Sequence, residues 1–169
     1  MRAIDLSVAK GAIFSEDRRF RYALWRLWSN TRPFLLMVGL NPSKAEEYKD
    51  DSTVTRGIVR ADRSGFGGFL MANLYAYVST DPEALLGNGD TESSPFVGEL
   101  TDHYLREMIA LSQRHLCGWG SFSPVANRAP CVLEMIQEPY CLGVNKDGQP
   151  KHPLYIGYDV AMVQYPLTK

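Results

Sequence analysis

Three residues of this 169-residue chain, Asn41, Asn73 and His152, fall where α/β proteins place their chemistry. An asparagine carries a carbonyl acceptor beside a two-proton donor. That pair complements the amide edge of a pyrimidine or the N6/N7 edge of adenine. A histidine can donate a hydrogen bond to an oxygen that gains negative charge as a bond breaks. Asn41 follows the apolar run Phe34-Leu35-Leu36-Met37-Val38, Asn73 closes the run Phe69-Leu70-Met71-Ala72, and His152 comes shortly after Tyr140-Cys141-Leu142-Gly143-Val144. If those runs are parallel strands, their carboxyl ends share one edge of a sheet, where ligands sit in open α/β folds. A lone histidine beside a proline is more often structural, so His152 gains its weight from this company.

The densest polar stretch is VGLNPSKAEEYKDDSTVTR, from Val38 to Arg56. Pro42 fixes its own φ and pushes Asn41 toward an extended backbone, which stiffens the loop. Ser43, Tyr48, Asp51, Thr53 and Arg56 then bring hydroxyl, aromatic, carboxylate and guanidinium groups to the same strand end. The stretch can be a pocket wall or a solvated loop that caps the next helix. Polar crowding directly behind a buried strand favours the pocket.

The elements that must hold these groups follow from periodicity. Ala12–Phe14, the turn Ser15-Glu16-Asp17 and Phe20–Trp25 read as a hairpin, its second strand an edge with one wet face. Phe34–Leu40, Phe69–Asn73, Leu116–Trp119 and Tyr140–Val144 are expected as buried parallel strands. Ser52 or Thr53 can cap a helix from Val54 to Ser64, closed by Gly65. Gly87–Ser94 reads as a polar loop, with Pro95 in the first turn of a helix over Val97–Ser112. Another helix spans Val125–Gln137, and Asn145-Lys146-Asp147-Gly148 is a turn. The alternation implies one domain over residues 1–169: a three-layer α/β/α sandwich with a central, mostly parallel sheet and an N-terminal hairpin.

Composition excludes several classes. With net charge −1 there is no global basic field of the kind that drives non-specific DNA binding. Arg18, Arg19, Arg21 and Arg26 cluster near the start, and Arg56, Arg60 and Arg63 fall along one helix; such runs are usually solvated faces. Cys117, Cys131 and Cys141 lack disulfide or zinc-site spacing and read as buried thiols of a reducing compartment. No apolar run approaches membrane-spanning length and the first residues carry no secretory pattern, so a soluble, cytoplasmic protein is expected. Gly65-Phe66-Gly67-Gly68 precedes a strand, so it is no phosphate fingerprint. Gly118-Trp119-Gly120, followed by Ser121 and Ser123, is either a phosphate- or sugar-holding loop or a tight turn. No nucleophile elbow is present, and neither metal nor cofactor is expected.

Ala12-Ile13-Phe14-Ser15, Val38–Ala45, Asp51-Ser52-Thr53, Asn73-Leu74-Tyr75-Ala76, Trp119-Gly120 and Gly148–Tyr155 resemble the bacterial and phage family of unknown function DUF1643. The order of motifs is also similar to that of the uracil-DNA glycosylase superfamily. That second resemblance implies a uracil-DNA-glycosylase-like fold. It further implies a water-positioning Asn41 in Gly39-Leu40-Asn41-Pro42, a base-reading Asn73, and His152 of His152-Pro153-Leu154 steadying the departing base. Tyr48 would stack on the extruded base. Apart from that resemblance, Asp51, Thr53 and Arg56 are expected on the pocket rim, and Ser43 and Lys151 are further candidates for substrate contact.

Three functions are then open. The first is hydrolysis of an N-glycosidic bond to a modified or damaged base. The second is a transferase or modifying enzyme on an unusual base or nucleotide. The third is a non-catalytic module that binds nucleotide or nucleic acid. The partners implied are a nucleobase, a nucleotide, or single-stranded or modified DNA, and no membrane.

Overall fold

The computed structural model describes residues 2–43, 47–81, 83, 85, 95–122 and 125–166. The Gly87–Ser94 loop, residues 44–46 of the polar stretch and Ser123 lie outside the described residues. The strands are β1 (Lys10–Phe14), β2 (Arg21–Leu27), β3 (Phe34–Gly39), β4 (Gly68–Asn73), β5 (Arg114–Cys117), β6 (Pro139–Cys141) and β7 (Val163–Gln164). The helices are α1 (Ser52–Arg63), α2 (Thr101–Leu111) and α3 (Val125–Met135). One sheet runs β1-β2-β4-β3-β5-β6-β7.

Its centre, β4-β3-β5-β6, is parallel throughout. The flanks β1-β2, β2-β4 and β6-β7 are antiparallel, so the sheet is parallel only in its middle. From β3 the chain moves outward to β4, then returns to the opposite side of β3 for β5. That reversal leaves a crevice at the carboxyl ends of β3 and β5, the topological switch point of such sheets.

Alternation along each central strand feeds two cores. Leu36, Val38, Leu70 and Ala72 pack with Tyr104, Leu105 and Met108 of α2 and Val125, Ala129 and Val132 of α3. Leu35, Met37, Phe69 and Met71 pack with Val54 and Ala61 of α1 on the other face. Gly57 lets α1 approach closely, because a Cβ there would stand 2.2 Å from the Phe69 ring.

Several expectations are corrected. β2 is not a wet edge strand: it lies between β1 and β4, and Arg21 through Arg26 are all buried. Asp51, not Ser52 or Thr53, caps α1 by accepting from Val54 N at 2.8 Å. α2 begins at Thr101 rather than Val97, because the Phe96 and Val97 carbonyls accept from Tyr77 and Ala76 instead of starting a helix. Pro95 therefore sits in a turn outside the helix. α3 ends at Met135, and β6 stops at Cys141 because Gly143, at φ +101°, turns the chain.

Buried arginines staple these layers. Arg128 on α3 donates from Nε to Leu74 O at 3.0 Å and pairs with Asp102 at the start of α2. Arg128 is 1% exposed, so removing its partner strands a cation away from water. Asp102→Ala is expected to lower stability by about 2–3 kcal/mol, below the full cost of a broken buried pair because the Asp102 side is open to water. Denaturant melts of the variant check this; a change under about 0.5 kcal/mol would show that the pair contributes no more than a surface one.

Candidate functional site

A cavity of about 640 Å³ opens at the switch point. Its walls come from the ends of three parallel strands. Gly39, Leu40 and Asn41 leave β3, Asn73 ends β4, and Trp119 and Gly120 follow β5. The exits are cross-tied: Leu74 N donates to Gly39 O at 2.9 Å, Ser79 N to Pro42 O at 2.9 Å, and Gly118 N to Val38 O at 2.9 Å. Parallel register thus becomes a fixed rim.

Asn73 is 2% exposed, lines the cavity, and has no hydrogen-bond partner on either Oδ1 or Nδ2. Gly39 makes room for it, since a Cβ there would come within 2.8 Å of Asn73 Oδ1. A buried carboxamide with both ends unsatisfied costs free energy, and a ligand edge with one donor and one acceptor would recover it.

Asn41 is anchored differently. Its Nδ2 donates to Ser79 O at 2.9 Å and to Pro42 O at 3.2 Å, which fixes the amide plane at the cavity wall. Beside it, the Asp51 carboxylate accepts from Val54 N through Oδ1 and from Ser43 Oγ through Oδ2. Ser43, Asp51 and Thr53 all line the cavity.

His152 joins the same lining, its loop seated where Gly118 has no side chain. A Cβ there would lie 2.8 Å from the Pro153 ring, so the His152-Pro153 step packs flat on the β5 exit. Leu154 N donates to His152 Nδ1 at 3.3 Å, which leaves the proton of the neutral ring on Nε2. Burial pushes the His152 pKa below the ordinary histidine range, and the nearby Asp51 charge only partly opposes that. The result is a neutral imidazole, a donor at Nε2.

Three expected contacts fall elsewhere. Tyr48 is 70% exposed and outside the cavity lining. Arg56 donates to Ile156 O at 3.0 Å and lies over the Tyr158 ring, tying the C-terminal segment to α1. Lys151 is exposed, with its backbone N bonded to Gly143 O at 2.9 Å. The aromatic groups at the cavity are instead Trp119, Phe122 and Tyr155, the last 82% exposed with its ring 6.1 Å from that of His152. Arg21, in the sequence only one of a basic cluster, lines the cavity from β2. Its signal was a charge between Phe20 and the apolar run Tyr22-Ala23-Leu24-Trp25.

Among the described residues no helix is long and apolar enough to cross a membrane, and no cluster of three or more His, Cys, Asp or Glu is placed to hold a metal. Residues 21–154 match the model of a family described as protein of unknown function (DUF1643). No curated protein and no solved structure matches the chain.

Proposed function

Because the chain belongs to the DUF1643 family, whose description assigns no activity, we propose its function from the pocket: it takes a nucleobase and hydrolyses the N-glycosidic bond of a modified or damaged one. The observation that carries this reading is Asn73, a buried carboxamide of the cavity lining whose acceptor and donor are both without a partner among the described residues. Its Nδ2 donates to a ring carbonyl while its Oδ1 accepts from the adjacent ring N–H, the pattern of an imide or amide edge. The similarity of motif order to the uracil-DNA glycosylase superfamily supports the same assignment.

The chemistry follows from what each wall offers. Asn41 Oδ1, with its amide nitrogen already tied to Ser79 O and Pro42 O, accepts from a water held against C1′ of the sugar. The C1′–N bond breaks as the C1′–O bond to that water forms, and the bonding pair leaves with the base. His152 Nε2–H donates to the base oxygen that collects this charge. The water's surplus proton passes to solvent and then to the base. Tyr155, at the mouth beside His152, stacks on the base in the role that the resemblance gave to Tyr48. A modifying transferase and a non-catalytic nucleotide module would use the same walls without the water step.

The test is release of free base from single-stranded and duplex DNA containing uracil, hydroxymethyluracil or other modified bases, alongside calorimetric binding of the free bases. Release from at least one substrate, lost on changing His152, supports hydrolysis. Tight binding of a nucleotide with no release from any substrate would replace it with a binding or transferase role.

A further inference from the structure

Four arginines are buried among the described residues, and three of them are satisfied. Arg26 donates to Trp25 O at 2.7 Å, to Glu47 O at 2.9 Å and to Asp50 at 2.8 Å. Arg60 donates to Val160 O at 2.7 Å and Gly157 O at 2.8 Å. Arg128 has Leu74 O and Asp102. Arg21 alone has none: it is 2% exposed, lines the cavity, and its Nε, Nη1 and Nη2 are all without a partner.

A guanidinium carries five donors in a planar fork, and leaving a buried one unpaired is costly. Burial lowers the Arg21 pKa to about 10, so it remains a cation near neutral pH. Asp51 is the nearby opposite charge, yet its oxygens accept from Val54 N and Ser43 Oγ and do not bond Arg21. Among the described residues nothing supplies what the fork lacks, and the cavity it lines is where a ligand can supply it.

We propose that Arg21 is an anion-binding residue of this pocket, taking a carboxylate or phosphate on the inserted end of the ligand in a two-point hydrogen bond. The assignment of that end to a base edge beside Asn73 rests on the function proposed above; the anion site does not. In base extrusion the flanking DNA phosphates stay with the strand outside the pocket. An anion that reaches a fully buried guanidinium therefore belongs to the base itself, as a ring carboxylate, or to a free nucleotide entering phosphate first. Both present the planar or near-planar oxygen pair that an arginine fork matches.

Calorimetry on the full chain with uracil, uracil-6-carboxylate and uridine 5′-monophosphate separates these cases. The expected result is that one of the two acids binds at least about tenfold more tightly than uracil, and which one names the source of the anion. Arg21→Met should cancel that gain and melt at or above the wild-type temperature, since it removes an unpaired buried charge. Arg21→Lys, which keeps the charge but not the fork, should lose most of the gain and serves where the methionine variant does not fold. Neither acid gaining over uracil, or a gain that survives both substitutions, overturns the proposal. Uracil binding without an acid gain would leave the base reading standing alone, whereas acid binding without any uracil affinity would leave only the anion site.

Discussion

Asn73→Ala is expected to weaken binding of the cognate base about 100-fold and to abolish its release, without lowering the melting temperature. Each hydrogen bond to a buried partner is worth roughly 1–3 kcal/mol when its loss leaves a group unpaired, and Asn73 offers two. The stability side is the more discriminating half. Among the described residues neither Oδ1 nor Nδ2 has a partner, so alanine removes two unsatisfied atoms rather than two bonds within the chain. A structural asparagine would behave in the opposite way, losing stability with little effect on affinity. Gly39→Ala gives an independent handle: its new methyl would meet Asn73 Oδ1 at 2.8 Å and push the carboxamide out of register. It should reproduce a large part of the affinity loss with Asn73 still present. Titration of each variant with the base that binds wild type, beside thermal melts, decides it, and unchanged affinity in Asn73→Ala would remove the base reading.

The parallel centre of the sheet was legible because β3 and β4 are buried on both faces, so continuous apolar runs mark them. β5 showed only through Leu116 and Cys117, and it begins at the half-buried Arg114 and ends at Cys117 rather than spanning Leu116–Trp119. β2 was misread because its alternation of Arg with apolar residues imitates an amphipathic edge. Arg26 is in fact held by the neighbouring Trp25 carbonyl and by Glu47 O and Asp50, and the last two come from a distant loop that no local pattern reveals. The start of α2 failed for a similar reason. Val97 and Phe96 suit a helix by composition, but the strand-like segment at Ala76 and Tyr77 claims their carbonyls. Tertiary hydrogen bonding overrode local preference in both cases.

Asn41, Asn73 and His152 could be grouped from sequence because parallel strands place their carboxyl ends on one edge, whatever the intervening length. The same logic has no purchase on Arg21, which enters from an antiparallel strand whose N-terminal end abuts that edge: Arg21 N bonds Ala76 O at 2.8 Å, just past β4. Tyr48 lies outside the cavity lining because the 47–50 segment is tied to Arg26 of β2 through Glu47 O and the Asp50 carboxylate. Tyr155 instead follows the turn that His152 and Pro153 begin.

His152→Ala should lower the rate of base release by about 10²–10³-fold while changing ground-state affinity by less than about tenfold, the signature of a donor whose bond strengthens only as charge develops. His152→Gln, which keeps an N–H donor of similar reach, should recover part of that loss. The pH profile carries a second sign. Burial depresses the His152 pKa, and protonating Nδ1 would set a new N–H against Leu154 N–H. The acid limb of the rate should therefore lie below the ordinary histidine value, with the neutral ring as the active form. Stability follows the same linkage, because the unfolded chain protonates this histidine more readily than the folded one does. Its contribution is complete above the unfolded value near 6.5 and is lost as pH drops toward the depressed folded value. His115, also depressed by burial, adds to that acid loss of stability. The rate profile of the His152→Gln variant separates the two, since it retains the His115 transition but has no imidazole at the cavity. An acid limb in rate that is unchanged in His152→Gln, or equal losses of rate and affinity in His152→Ala, would reassign His152 from the departing base to the packing of the Gly118–Pro153 contact.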